Sequence, residues 1–513
     1  MGIRFTFILV SFILVFVQNA FGQFGPPGGP AQGTRANQLP LSGRSAQTGS
    51  AAAVEAPGPG TTASINTVNP TVQVQGAYAG SVPAGPPLSG KLSFRDAVGR
   101  ALQYNLGAIA TSHGLAQARG ANRVARSALL PNLSGSLSET VQQTNLEAFG
   151  FRFHFPIPGV SIPTVVGPFN YFDLRAALSQ SVVDLTAWNN HLSSKENLRA
   201  IEFSARDARD LVVLAAGGAY LQVIAAAARV QSARAQLETA NGLFQQTSQQ
   251  HSVGLVAQID VNRSRVQMLT QQQRLLSVQN DLAKQKINLA RIVGLPPNDR
   301  YELADDVPYA PASDMNVEDA IQQALSQRSD LKAAEAQLRS AERARSAARA
   351  ERLPSVSLNA DYGAIGTTPD HSHGTFAVVG SLKFPIWQGG RIEGDIQQAE
   401  AALAQRQSEL DDLRGEIEAE VRKSYLDLQA ATSQVEVARE NVEVSKQNLT
   451  LTRQRFEAGV VDNLEVVESQ ESTANAEMDY INSVFAHNLA KLSLARAVGQ
   501  AAGNLSQFLT TQP

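Results

Sequence analysis

Two long stretches of the chain, residues 186–252 and 392–457, carry apolar side chains in a seven-residue rhythm. In the first, Val223, Val230, Leu237 and Phe244 stand seven apart, with Ala226, Ala233 and Ala240 between them. Shifted by 205 residues, the same places hold Leu428, Val435, Val442 and Leu449, with Ala431, Ala438 and Ser445 between. This pattern predicts a coiled-coil seam, and its layer of small residues lets the partner helix come close. At 1.5 Å per residue each stretch reaches about 100 Å. The rhythm breaks at Gly254 and resumes in Val261, Met268, Leu275, Leu282 and Leu289, so the chain turns back on itself. Gly459 repeats Gly254 at the same offset, and both are read as hairpin-tip turns.

Ahead of each long helix the period changes from seven to two. Leu133, Gly135, Leu137 and Val141 alternate with serine, threonine and glutamine, and Phe172, Leu174, Ala176 and Leu178 alternate with Asp173, Arg175 and Ser179. Val356, Leu358, Ala360 and Tyr362 do the same, as do Phe376, Val378, Leu382 and Phe384. These are four strands with one apolar and one polar face. A helix leads into each pair, over about 92–130 and 315–352, and is stopped by Leu130-Pro131 and Leu353-Pro354. The whole layout therefore occurs twice, over residues 91–300 and 315–501. The offset between copies is 223 residues before the strands and 205 after them, so the first copy holds about 18 extra residues in its hairpin.

Composition narrows the class. A net charge of −3 over 513 residues gives no footprint of a nucleic-acid binder. Aromatics at 6% suit long packed helices better than a globular core. With no cysteine, disulfides, thiolate metal sites and a lipoprotein anchor are excluded. Residues 1–22 have a signal-peptide layout, with Arg4, an apolar run from Phe5 to Val17 and Ala20-Phe21-Gly22. Residues 23–90 are a Gly/Pro-rich leader for which no regular structure is expected, and 502–513 form a short tail. No later segment reads as a transmembrane helix, so an exported chain of this kind would cross a membrane as a β-barrel.

Four strands are too few for a barrel, and lipid does not tolerate open strand edges. Three copies would supply twelve strands. The fold expected is α plus membrane β-barrel: two internal repeats, each a β-hairpin with long coiled-coil helices, trimerising into a 12-stranded barrel and an α-helical tunnel. The alternative is a periplasmic coiled-coil adaptor or structural tether, against which the inserted amphipathic strands count.

The two-fold repeat, the Leu-Pro before each first strand, LKFPIWQGG at Leu382–Gly390 and Gly-Leu-Val-Ala-x-x-Asp-Val at Gly254–Val261 resemble the TolC-type outer-membrane efflux protein family over about 91–501. The resemblance implies a homotrimeric channel in the outer membrane with a long periplasmic tunnel. It implies passive exit for cargo, in efflux or type I secretion, handed over by a periplasmic adaptor (a membrane fusion protein) and an inner-membrane pump. Neither the cargo nor the pump can be read from the sequence.

Candidate site residues cluster near the tips. Glu465 and Glu468 are three apart on one helix face. Three chains would set six carboxylates around a narrow opening, a ring that favours cations. In the resemblance these positions match a selectivity ring. Asp260 has two roles open to it: gating at the tip, or capping the returning helix. The resemblance pairs it with a tyrosine and an arginine, but Phe456 and Val461 stand there and make neither bond. Phe149, Phe151, Phe153 and Phe155 alternate in FGFRFHF and read as membrane-interface aromatics. His371 and His373 in PDHSHG have no evident further ligands, and no metal or cofactor is expected. No phosphate loop, HExxH or nucleophile elbow occurs, so the chain reads as a duct and not an enzyme.

Overall fold

The computed structural model describes residues 49–55, 70–82, 90–150, 163–297, 301–305, 309–311 and 316–503. All of them belong to one compact unit, Pro40–Pro513; the other, Met1–Leu39, lies outside the described residues and takes the signal-peptide reading with it.

The first repeat runs through α1 (Phe94–Tyr104), α2 (Leu106–Ser127), β4 (Asn132–Asn145), β5 (Val165–Val183), α3 (Leu185–Ser252) and α4 (Gln258–Val293). The second repeats the order with α5 (Val317–Gln327), α6 (Ser329–Ala350), β7 (Ser355–Gly366), β8 (Ser372–Lys383), α7 (Arg391–Glu457) and α8 (Asn463–Ala497). Four short strands stand outside it: β1 (Gly49–Glu55), β2 (Pro70–Gly76) and β3 (Lys91–Leu92) before the first copy, and β6 (Glu302–Leu303) between the copies.

Each lead-in helix, read from sequence as one, is two. The break falls at Asn105 in the first copy and Arg328 in the second, at the same offset, and both adopt extended ψ values of 134° and 131°. Asn105 is fully buried and holds three partners. Its Oδ1 accepts from Gly107 N (2.9 Å), and its Nδ2 donates to Tyr78 O (2.8 Å) and Ile292 O (3.3 Å). Such side-chain bonds compete with the helical ladder and end it. Arg328 reaches its break through tertiary contacts, donating to Asp330, Glu420 and the Ala497 carbonyl.

The Gly/Pro-rich leader also departs from expectation. β1 and β2 pair antiparallel, and the Tyr78 that follows is buried among Phe94, Ala101 and Ile292. Val74 packs on the same cluster, and Val82 N donates to Tyr104 O (2.9 Å), so the segment is ordered although its composition predicts no regular structure. Part of the connection between repeats is tied down as well, where β6 pairs parallel with β3.

β4, β5, β7 and β8 form one antiparallel sheet in that order. Its register lines up the alternating residues. Leu133, Leu178, Ala360 and Val378 lie side by side, as do Gly135, Ala176, Tyr362 and Phe376. That face stays exposed: Leu133 is 76% accessible, Phe376 76% and Val378 62%. The opposite face carries Ser136, Arg175 and Thr375, with Arg175 ion-paired to Asp173 (3.3 Å) and Asp361.

The long helices α3 and α7 have 68 and 67 residues, and their seams follow the predicted heptads. Ala226, Ala233 and Ala240 are at most 2% exposed, and their equivalents Ala431, Ala438 and Ser445 are buried in the second copy. One reading needs correction: α3 does contain a stretch apolar enough by composition to cross a membrane. It lies mostly inside the helical body instead, with Val212, Val213 and Ala216 at 0% exposure against Leu489 and Leu492 or the Phe94 cluster. Phe94 meets Tyr220 edge-on (5.4 Å), and the Tyr220 hydroxyl donates to Leu92 O (2.9 Å).

Candidate functional site at the hairpin tips

Both tips are built the same way. Gly254 and Gly459 adopt left-handed φ values of 77° and 69°. Leu255 N donates to Gln250 O and Val460 N to Arg455 O, both at 2.9 Å. These are Schellman closures, in which a positive-φ glycine lets the last carbonyls be satisfied as the chain reverses. The same device recurs at the other end, at Gly294 and Gly499, again 205 residues apart. A buried hydroxyl pair bridges the two limbs just above each turn. Thr247 and Ser264 share a hydrogen bond of 2.7 Å, and Ser469 donates to Thr452 at 3.2 Å.

The acidic residues sit in the first turns of the returning helices, where negative charge complements the helix dipole. Asp260 belongs to the first turn of α4, and the N-cap itself is Ala257 with no side-chain bond, so Asp260 does not cap in the side-chain sense. Its carboxylate pairs within its own helix with Arg263 (3.5 Å). In the second tip Asp462 is the true cap, accepting from Leu464 N (3.0 Å) and Glu465 N (3.3 Å). Glu465 is half exposed and lies 3.5 Å from Arg455 of α7. Glu468, one turn on, is exposed too. Phe456 and Val461 are partly buried in the second tip.

Sequence reasoning missed the residue that joins the two tips. Asn463, the first residue of α8, is 1% exposed, and its Nδ2 donates to the main-chain carbonyl of Asp260 at 3.0 Å. Higher up, Arg229 of α3 donates to Asn482 of α8 (2.7 Å), and Ser232 Oγ to Glu477 (2.7 Å), which also pairs with Lys446 of α7 (3.2 Å). An asparagine just after an N-cap has no pattern that announces such a contact.

A second charged cluster lies where the repeats meet. Arg496 pairs with Asp207 (3.2 Å) and Glu420 (3.4 Å), and Glu420 also pairs with Arg328 (2.5 Å). Burial pushes the Asp207 carboxyl up to about 6, against the pull of Arg496. Burial also raises Asp210, which accepts from Ala502 N (2.8 Å).

Of the remaining candidates, Phe149 ends a short 3-10 turn, Glu147–Phe149, while Phe151, Phe153 and Phe155 lie outside the described residues. His371 stands at an exposed turn 3.6 Å from Asp370, and His373 is in β8.

The model of a family described as "Outer membrane efflux protein" matches residues 97–295 and 320–500, one segment in each repeat. The chain belongs to the outer membrane efflux protein family. Among relatives, Outer membrane protein TolC of Escherichia coli (strain K12) is 24% identical over 351 residues, covering 63% of this chain and 68% of that protein. The pyoverdine export outer membrane protein OpmQ of Pseudomonas putida is 25% identical over 329 residues, covering 62% and 68%. Among solved structures, the CmeC outer membrane channel of Campylobacter jejuni superposes with a TM-score of 0.71 at 18% identity, over 80% of this chain and 86% of that one. VceC of Vibrio cholerae gives 0.67 at 21%, over 79% and 96%. Members of this outer membrane efflux protein family are channel proteins. The chain is accordingly an outer-membrane efflux channel, its sheet being the membrane part and its helical hairpins the tunnel.

Proposed function

We propose that three copies of this chain close into one twelve-stranded barrel continued by a shared helical tunnel, a passive exit duct for cargo delivered by an inner-membrane pump through a periplasmic adaptor. The observation that carries this reading is the sheet. It has an exposed apolar face, a polar opposite face with a charged trio at Arg175, and two edge strands, β4 and β8, without a partner strand among the described residues. Hydrocarbon penalises each unsatisfied edge group by several kcal/mol, so such a sheet must join further strands before it can span. β4 of one copy would pair with β8 of the next.

In that trimer Glu465 and Glu468 would meet their copies around the tunnel mouth, and the six carboxylates would favour cations. The pairing of Glu465 with Arg455 moderates the charge of the ring position nearer the turn and leaves Glu468 as the stronger member. The aromatic segment from Phe149 to Phe155 would sit in the extracellular hairpin at the membrane interface. Detergent extraction of the outer membrane should yield heat-resistant trimers that conduct in planar bilayers. A soluble, non-conducting monomer would overturn the proposal in favour of a periplasmic tether.

A further inference from the structure

We propose that Arg175 sets the charge that the barrel wall shows to passing cargo, a specificity-determining residue that holds the lumen at a weak preference for cations. The inference rests on the trimeric barrel proposed above. Three observations carry it. First, the wall is otherwise nearly free of charge. On the polar face of the four strands the charged residues are Asp173, Arg175 and Asp361, with Lys383 at the foot of β8. Second, Arg175 lies along the wall. Its Nε donates to both Asp173 oxygens (3.3 Å), and its Nη1 pairs with Asp361 on the neighbouring strand. The side chains of Arg175, Asp173 and Asp361 are 28%, 22% and 25% exposed, so the guanidinium rests against the sheet and does not reach out over the lumen. Third, Gly363 makes room for it. Gly363 stands directly across from Arg175, and a Cβ there would run into Leu174 O and Arg175 Cα. With no side chain at that position the guanidinium passes diagonally to Asp361. Two carboxylates against one guanidinium leave one surplus negative charge per chain, and a closed trimer carries that surplus three times at one level of its wall.

The width of the barrel decides what feels this charge. Twelve strands spaced about 4.8 Å apart and tilted by about 40° put the wall about 12 Å from the axis. The screening length is about 8 Å at physiological salt and about 30 Å at 0.01 M. A small ion on the axis is therefore largely screened from the wall in the first case and feels it in the second. A cargo wide enough to fill the lumen comes within the screening length in both. The wall thus slows bulky anionic cargo relative to cationic cargo of the same size, while small ions pass. Lys383 lies about 26 Å down β8 from Thr375, the residue level with Arg175, and forms a ring of its own. Lys383 and His373, which is on the same face, are common to every variant below.

The test uses purified full-length protein in planar bilayers, with E465Q/E468Q as the parent so that the tip carboxylates do not mask the wall. Reversal potentials under a salt gradient are read at one neutral pH, around 0.01 M and around 1 M salt. In low salt, cation selectivity should rank R175Q above the parent, R175K level with it, D361N below it, and D173N/D361N lowest or turned towards anions. In high salt, where screening acts within about 3 Å, all five proteins should coincide. R175K separates charge from shape, because lysine keeps the cation and loses the planar fork. The proposal is overturned if D361N and the parent select alike in low salt, if R175Q and D173N/D361N shift the potential in the same direction, or if R175K selects like R175Q. Should R175Q yield no heat-resistant trimer, D361N against the parent still decides. A parent that conducts as a trimer but shows none of this order overturns the wall filter alone. Parent and wild type that never conduct overturn the channel reading and the filter with it.

Discussion

At the scale of single residues, the charges divide into two kinds. Glu465 and Glu468 are exposed, and in the proposed ring they would act on what passes, so E465Q/E468Q should lower cation-over-anion selectivity, read as a shift of reversal potential under a salt gradient towards zero. Asp207 is buried and acts on stability. Its folded value of about 6 stands above its ordinary 3.8, so the native state holds the extra proton between those two values. The stability this contributes is complete below about pH 4 and lost as pH rises through 6. Burial pushes the His487 imidazole down to about 4, which contributes in the opposite sense, so the readout is the difference from D207N: the thermal unfolding temperature of wild type relative to D207N should fall from pH 5 to pH 7. That Glu465 and Glu468 share one exposed helix face was legible in the sequence because their spacing fixes it. Asn463 and Asn105 were not. Each is defined by a carbonyl about two hundred residues away or held by a buried tyrosine, and an asparagine after an N-cap or inside a helical pattern looks ordinary until those neighbours arrive.

Among the elements, legibility followed periodicity. The long helices, the four strands of the sheet and the glycine turns fell where the sevens, the twos and the 205-residue echo put them. The kinks at Asn105 and Arg328 did not, since nothing in a smooth 3.6-residue pattern says that a buried side chain will steal the ladder. The leader misled for the opposite reason: its composition is that of a coil, and Tyr78, with Val74 beside it, anchors it in the apolar cluster of the first repeat. The turns and the seam carry separable costs. At Gly459 an added Cβ meets nothing within 4 Å, so G459A should cost only backbone strain, about 1 kcal/mol. At Gly294 the same atom would come 2.5 Å from the Tyr104 side chain, and G294A should cost clearly more. Ala226 is 1% exposed within the α3 seam, so A226L should overpack it by about 1–3 kcal/mol. Loss of helical circular dichroism on heating ranks the three.

For the whole molecule, the sheet is the part that cannot stand alone. Val378 lies near the middle of β8 on the apolar face, opposite Ala360. V378R should cost about 2–4 kcal/mol if that face meets lipid, and should lower the yield of heat-resistant trimers from membranes while leaving the soluble helical part folded. The two repeats differ most in their strand hairpins, where the first holds the longer insertion. Below them little drifts. Gly254 and Gly459 keep the same spacing as Gly294 and Gly499, so the two return strokes of the chain are the same length to the residue, and the outgoing helices, of 68 and 67 residues, differ by one. The duplication thus works as a matched pair of rulers. One end may be trimmed or extended freely, but a single heptad removed from both limbs of one hairpin would leave its tip about 10 Å short of its twin. A mouth made of alternating tips would then have teeth of unequal height, and no side-chain repair could level them.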